Sequence, residues 1–158
     1  MRWKGLTILF LVDTNVLIFA AFADCSEHRA CRKLLDSALS AALPWFVTWG
    51  ILYEFLRVAT HPRVPRQPLG IHEAWSFVAD LLGSPGFTVL TETDRHAEVA
   101  ARVLQEVPLL RGNILHDAHT AILMREHGIR RIYTRHTDFH RFPFLEVIDP
   151  LRASGNGG

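Results

Sequence analysis

The first apolar stretch of the chain is Ile8-Leu9-Phe10-Leu11-Val12. Five consecutive apolar residues suit a strand buried on both faces of a parallel sheet. Asp13-Thr14-Asn15 interrupt the run, and Val16, Leu17, Phe19 and Ala20 resume it at helical spacing. The pattern predicts strand, sharp turn, helix. The turn leaves Asp13 at the carboxyl end of the strand, where open α/β sheets bind their ligands. Burying an unpaired carboxylate among so many apolar neighbours is costly. Asp13 is therefore either a functional group or the cap of the helix that follows.

The same alternation continues to the end of the chain. Helices are predicted over residues 15–22, 27–41, 50–59, 72–82, 94–107 and 115–127, with Ser26 and Asn113 as N-caps and Gly128 as a stop. Short apolar strands are predicted over 45–48, 87–90, 131–134 and 145–148. The proline-rich segment 61–68 ends a helix and reads as a loop, because each flank alone is too small to fold. Strands alternating with helices predict a three-layer α/β/α sandwich around a mainly parallel sheet of four to five strands. One domain is expected over residues 1–150, with 151–158 as a disordered tail.

Composition adds little to this picture but removes several alternatives. The chain has 158 residues, 49% hydrophobic and 21% charged, which is ordinary for a globular domain with a real core. The N-terminal apolar run is too short to span a bilayer and lacks a small-residue cleavage site, so neither a membrane anchor nor a signal peptide is expected. Two cysteines, Cys25 and Cys31, give no disulfide framework, and a reducing cytoplasm is the expected compartment. A net charge of +1 provides no global basic field, so a polyanionic partner would have to be held locally.

Four acidic residues stand out. Asp13 ends the first strand, Glu54 lies in an apolar helix, Asp117 opens another helix, and Asp138 follows the fourth strand. Strand ends share one edge of a parallel sheet, so Asp13 and Asp138 can converge. Carboxylates close together repel strongly at low dielectric, and a bound cation is the usual relief. Carboxylate oxygens without a cysteine set select Mg²⁺ or Mn²⁺. Singly, each residue also has an ordinary role as cap, turn or solvated position.

The ordered set VDTNVLI, WGILYEFLRVATHP, GNILHDAHTAILMREHGI and IYTRHTDFHRF resembles the PIN-domain ribonucleases, and most of all the VapC toxins of type II toxin–antitoxin modules. The resemblance runs from about Leu9 to Pro150. It implies a PIN-like fold and an endoribonuclease whose metal site is formed by Asp13, Glu54, Asp117 and Asp138. It places Asn15 and Thr134 around that site as supporting polar groups. It implies Mg²⁺ as cofactor, with Mn²⁺ able to substitute. It also implies RNA as substrate, a cognate antitoxin, and a toxin homodimer that can enter a larger toxin–antitoxin assembly.

Other chemistries are weaker on the residues present. A haloacid-dehalogenase-like phosphatase also ends its first strand in Asp, but wants a second Asp two residues on, where this chain has Asn15. A non-catalytic protein-binding module would not need the acidic set. His116, His119, His136 and His140 lie near the acidic motifs, so a histidine-based ribonuclease or a zinc pair at His116 and His119 is conceivable; the acidic set suits a hard metal better. Arg111, Arg135 and Arg141 are candidates for RNA phosphates or plain solvated loop charges. Phe19, Phe22, Trp45, Trp49, Phe55, Trp75 and Phe77 exceed what one sheet face needs, and an exposed part of that set would suit an apolar antitoxin helix.

Overall fold

The computed structural model describes residues 8–63 and 67–153. The N-terminal extension 1–7, residues 64–66 of the proline-rich loop, and residues 154–158 of the expected tail lie outside the described residues. The strands are β1 (Phe10–Val12), β2 (Trp45–Thr48), β3 (Phe87–Leu90), β4 (Arg131–Tyr133) and β5 (Glu146–Ile148). The helices are α1 (Thr14–Ala21), α2 (His28–Ser40), α3 (Trp49–Ala59), α4 (Ile71–Leu82), α5 (His96–Glu106), α6 (Ile114–Glu126) and the short α7 (Pro150–Ala153). A 3-10 turn, Thr137–Arg141, links β4 to β5.

All five strands are parallel, in the order β3-β2-β1-β4-β5. The chain steps from β1 outward through β2 to β3, then returns across the sheet to β4. Parallel crossovers are right-handed, so the two directions of travel place their helices on opposite faces. The packing follows this rule: α1 contacts α2 and α3, α3 contacts α4, and α2 contacts α7, while α5 packs on α6. This is the expected three-layer sandwich.

The direction reverses between β1 and β4, which are direct neighbours with Val12 opposite Tyr133. The loops leaving these two strands turn to different faces and open a crevice between their carboxyl ends. Ligands of open α/β sheets bind at such a point. Asp13 and Thr134 are the first residues past the paired segments.

The core is continuous through the layers and includes Leu11, Val16, Leu17, Trp45, Phe55, Leu123, Ile132 and Phe139. Residues 120–124 of α6 are buried on every side of the helix, as expected for a helix lying over the middle of a sheet. Of the aromatic set, Phe22, Trp45 and Phe55 are core, Phe19 and Phe77 pack against it, and Trp49 and Trp75 are exposed.

Three local expectations are corrected. Ser26 does not cap α2; the N-cap position is Glu27, which makes no side-chain capping bond. Successive turns, Cys25 N to Phe22 O and His28 N to Cys25 O, wind the backbone into the helix instead. Asn113 stands at the N-cap of α6 but has helical φ and ψ, so its side chain caps nothing, and turns at Gly112 and Asn113 carry the chain into α6. Leu151 and Arg152 belong to α7 and not to a tail. Pro150 supplies the fixed φ of a first helical residue, and Asp149 Oδ1 accepts from Leu151 N at 3.0 Å.

Candidate active site

The buried run of β1 delivers Asp13 to the crevice at 8% exposure. The carboxylate caps α1, with Oδ1 accepting from Thr14 N at 2.8 Å. Oδ2 accepts from Asn15 Nδ2 at 2.9 Å and from the Thr134 hydroxyl at 2.8 Å. The capping role and a place in the crevice are thus combined in one side chain. An ionised carboxylate has about four lone-pair sites, of which three are used. The spare capacity lies on Oδ1.

Thr134 is equally committed. Its Oγ1 donates to Asp13 and accepts from Asn15 Nδ2 at 3.1 Å and from His136 N at 2.9 Å. That exhausts a hydroxyl's one donor and two acceptors. Asn15 Oδ1 in turn accepts from Arg135 N at 2.9 Å. A closed polar network therefore ties the end of β1 to the end of β4. Thr134 and Asn15 both hydrogen-bond the Asp13 carboxylate.

Burial pushes the Asp13 carboxyl above its ordinary range, against the pull of Thr134, Thr14, His136 and Asn15. Asp117, on the first turn of α6, is pushed up to about 6, first by burial and then by the negative charges of Asp13 and Asp138. The countercharges acting on it are the imidazoles of His136 and His116. Asp13, Asp117 and Asp138 thus form one electrostatic neighbourhood, with Asp138 exposed in the 3-10 turn. Mutual repulsion among these carboxylates fits a hard divalent cation, which would remove it.

Glu54 stands apart from this trio. It is half-exposed on α3, clamped by Arg57 through Nη2 to Oε1 at 2.6 Å and Nε to Oε2 at 3.0 Å. Its carboxyl is held below the ordinary range, chiefly by that hydrogen bonding, with His116 adding to the effect. Glu54 therefore borders the site through His116. The conceivable zinc pair of His116 and His119 gains no support: His119 is hydrogen-bonded to Glu92.

The arginines divide. Arg135 contributes its backbone N–H to the network, while its guanidinium pairs with Asp149 at 3.3 Å. Arg111 and Arg141 are exposed and make no ion pair among the described residues. Beside Thr134 a cleft of about 380 Å³ runs across the ends of β4 and β5, lined by Arg135, His136, His140 and Arg152 among others. Arg152 is missed by the sequence reading because its segment looks like a tail. Asp149-Pro150, a cap followed by a first-turn proline, is the signal that could have found it.

Comparison with known proteins agrees with this geometry. The family model described as PIN domain matches residues 10–145. Ribonuclease VapC37 of Mycobacterium tuberculosis is 36% identical over 140 residues, covering 89% of this chain and 96% of the relative. Among solved structures, Mycobacterium tuberculosis VapC20, described as a sarcin-ricin loop cleaving toxin, superposes with a TM-score of 0.64 at 21% identity, covering 89% of this chain and 99% of that one. VapBC2 from Rickettsia felis, solved bound to a DNA fragment from its promoter, superposes with a TM-score of 0.63 at 14% identity over 89% of this chain and 98% of that one.

Two outcomes are expected. Thr134→Val keeps the shape but strips the hydroxyl from three partners; it should cost about 1–3 kcal/mol, read as a lower urea midpoint. The second concerns Asp117. Its folded pKa of about 6 lies above its ordinary 3.8, so the native state holds the extra proton between these values. Metal-free protein should therefore lose stability as pH rises from about 4 to 6, on the order of 1–2 kcal/mol after allowing for solvent around a half-buried group. Asp117→Asn should flatten that part of the profile in chelator, and an unchanged slope would contradict the crowding.

Proposed function

The chain belongs to the PIN-domain family, and from that premise we propose that it is a metal-dependent endoribonuclease acting as the toxin of a toxin–antitoxin pair. The observation that carries the chemistry is the buried Asp13, fully supported on Oδ2, with spare acceptor capacity on Oδ1 beside a second carboxyl raised to about 6. Asp13, Asp117 and Asp138 would hold Mg²⁺, which Mn²⁺ can replace, and Glu54 would complete the set from the rim beside His116. A cation so held supplies Lewis acidity and an activated water for phosphodiester hydrolysis.

The chain's own residues supply the rest. Thr134 and Asn15 fix the Asp13 carboxylate so that it does not rotate away from its load. Arg57 holds Glu54 ionised. The cleft lined by Arg135, His136, His140, Asp149 and Arg152 offers a short polar path for an RNA backbone, and Arg111 and Arg141 add exposed charges for phosphate. A phosphatase reading fails at Asn15, whose amide is spent on Asp13 and Thr134 where a second carboxylate would be needed.

The partner of the toxin is its cognate antitoxin. Trp49 and Tyr53 on α3, whose ring centroids lie 6.3 Å apart, and Ile71 and Trp75 on α4 are exposed at 40–66%. Exposed apolar side chains of this kind suit the apolar side of an antitoxin helix. A homodimer, able to join a larger toxin–antitoxin assembly, is the proposed free state. No helix among the described residues is long and apolar enough to cross a membrane; action on RNA with an antitoxin partner points to the cytoplasm.

RNA cleavage should require Mg²⁺ or Mn²⁺ and stop in EDTA, while Ca²⁺ should bind with little turnover. Asp13→Asn should abolish cleavage, a loss of at least about a thousandfold, with the protein still folded by circular dichroism. Full activity in EDTA or in Asp13→Asn would move the chemistry elsewhere. Sedimentation should show a dimer alone and a larger complex with the product of the adjacent small gene. A monomer that ignores that product would remove the toxin role and leave the nuclease standing.

A further inference from the structure

A second group of ligands lies outside the acidic crevice. Glu92 follows β3, His96 is the first residue of α5, and His119 projects from α6. One ligand atom from each falls within 4.8 Å of the others. His119 Nε2 lies 2.8 Å from Glu92 Oε1, and the two imidazole rings meet edge to face with centroids 5.8 Å apart. We propose that Glu92, His96 and His119 form a second metal site, which takes a borderline transition dication, Zn²⁺ foremost.

The site is distinct from the carboxylate cluster. His119 is two residues after Asp117 on the same helix, about 200° around its axis. The two side chains therefore serve different faces of α6, and Asp117 is not a member of the second group.

The strongest sign of a built site is the group behind it. Glu126 lies seven residues after His119, on the same face of α6, and its side chain is 0% exposed. Its Oε2 meets His96 Nδ1 at 2.7 Å. Its Oε1 accepts from Thr93 N at 2.9 Å and from Thr93 Oγ1 at 2.7 Å. A buried carboxylate held by three bonds thus orients one imidazole. With Nδ1–H donated to Glu126, His96 keeps its lone pair on Nε2. Carboxylate–histidine–metal arrangements fix the tautomer and orientation of a ligand in this way. Stability alone is a poor account of the front of the cluster, because Glu92 and His119 are about half exposed and an exposed pair contributes little.

The ligand chemistry selects the ion. Two imidazole nitrogens and one carboxylate suit Zn²⁺, with a fourth position open to water, whereas Mg²⁺ prefers oxygen alone. Bonds of about 2.0–2.1 Å in tetrahedral array put ligand atoms about 3.3 Å apart. The Glu92–His119 contact of 2.8 Å needs to open by only about half an ångström, and His119 would bind as its Nδ1–H tautomer. The ion would brace the β3–α5 connection against α6, the helix that carries Asp117.

The test is calorimetry of untagged protein with Zn²⁺ in excess Mg²⁺, alongside an Asp13→Asn, Asp117→Asn double variant. One Zn²⁺ per chain should bind in both, with a rise in melting temperature. His96→Ala and His119→Ala should each lose the binding. Glu126→Gln should weaken it about 10- to 100-fold while leaving all three ligands in place. Glu92→Gln, at an exposed position, gives a loss that does not depend on the folding of the histidine variants. No Zn²⁺ uptake, uptake unchanged in Glu92→Gln and His119→Ala, or uptake lost in the acidic double variant would each overturn the site.

Discussion

A carboxylate kept nearly dry at the end of a strand is the constraint on which the crevice depends. Asp13 could not stay there unpaired, because desolvation alone would favour its neutral form. Three donors from two separate strand ends hold it. The Thr134 donor is available only because β1 and β4 are adjacent and parallel, with Thr134 one residue beyond the last pair. The sheet order therefore serves the site directly. A different strand beside β1 would leave Asp13 with only its local donors, Thr14 N and Asn15 Nδ2.

The same economy appears in α6. The helix lies over the sheet with a block of five buried residues, yet the rest of its surface carries two unrelated polar groups. Asp117 looks toward Asp13 and Asp138, while His119 and Glu126, a heptad apart, look toward the β3–α5 connection. Rigid packing of the apolar block sets the angle between them. Neither polar group needs a flexible loop to reach its place, which favours the sub-ångström positioning that metal ligands require.

Much of this was legible in the chain itself, and the illegible part has a common cause. The VDTN turn was readable because five apolar residues followed by Asp allow few local structures. Asp117 and Asp138 were readable as polar breaks in apolar patterns. Glu54 was placed among the ligands by its motif, and the clamp that holds it comes from Arg57, three residues on along the same helix. Ser26 and Asn113 failed as caps because consecutive backbone turns satisfied the donors that capping would serve. His119 lies 27 residues after Glu92 in sequence and 23 after His96. Only the packing of α5 on α6 brings them together, and no periodicity announces it.

Net charge leaves one physical problem for the proposed activity. A chain at +1 has no field to draw in RNA, and three crowded carboxylates repel a phosphate at close range. The cations near the crevice are few, and Arg135 is already engaged by Asp149. Phosphate approach must therefore be linked to neutralisation of Asp13, Asp117 and Asp138. Linkage is reciprocal: whatever neutralises the carboxylates raises affinity for RNA, and RNA raises affinity for the neutralising ion by the same factor. His136 and His116, the imidazoles acting on Asp117, are placed to enter that balance. The weak intrinsic attraction of the chain for polyanions then works toward selectivity, since a phosphodiester is held firmly only where the acidic site is loaded.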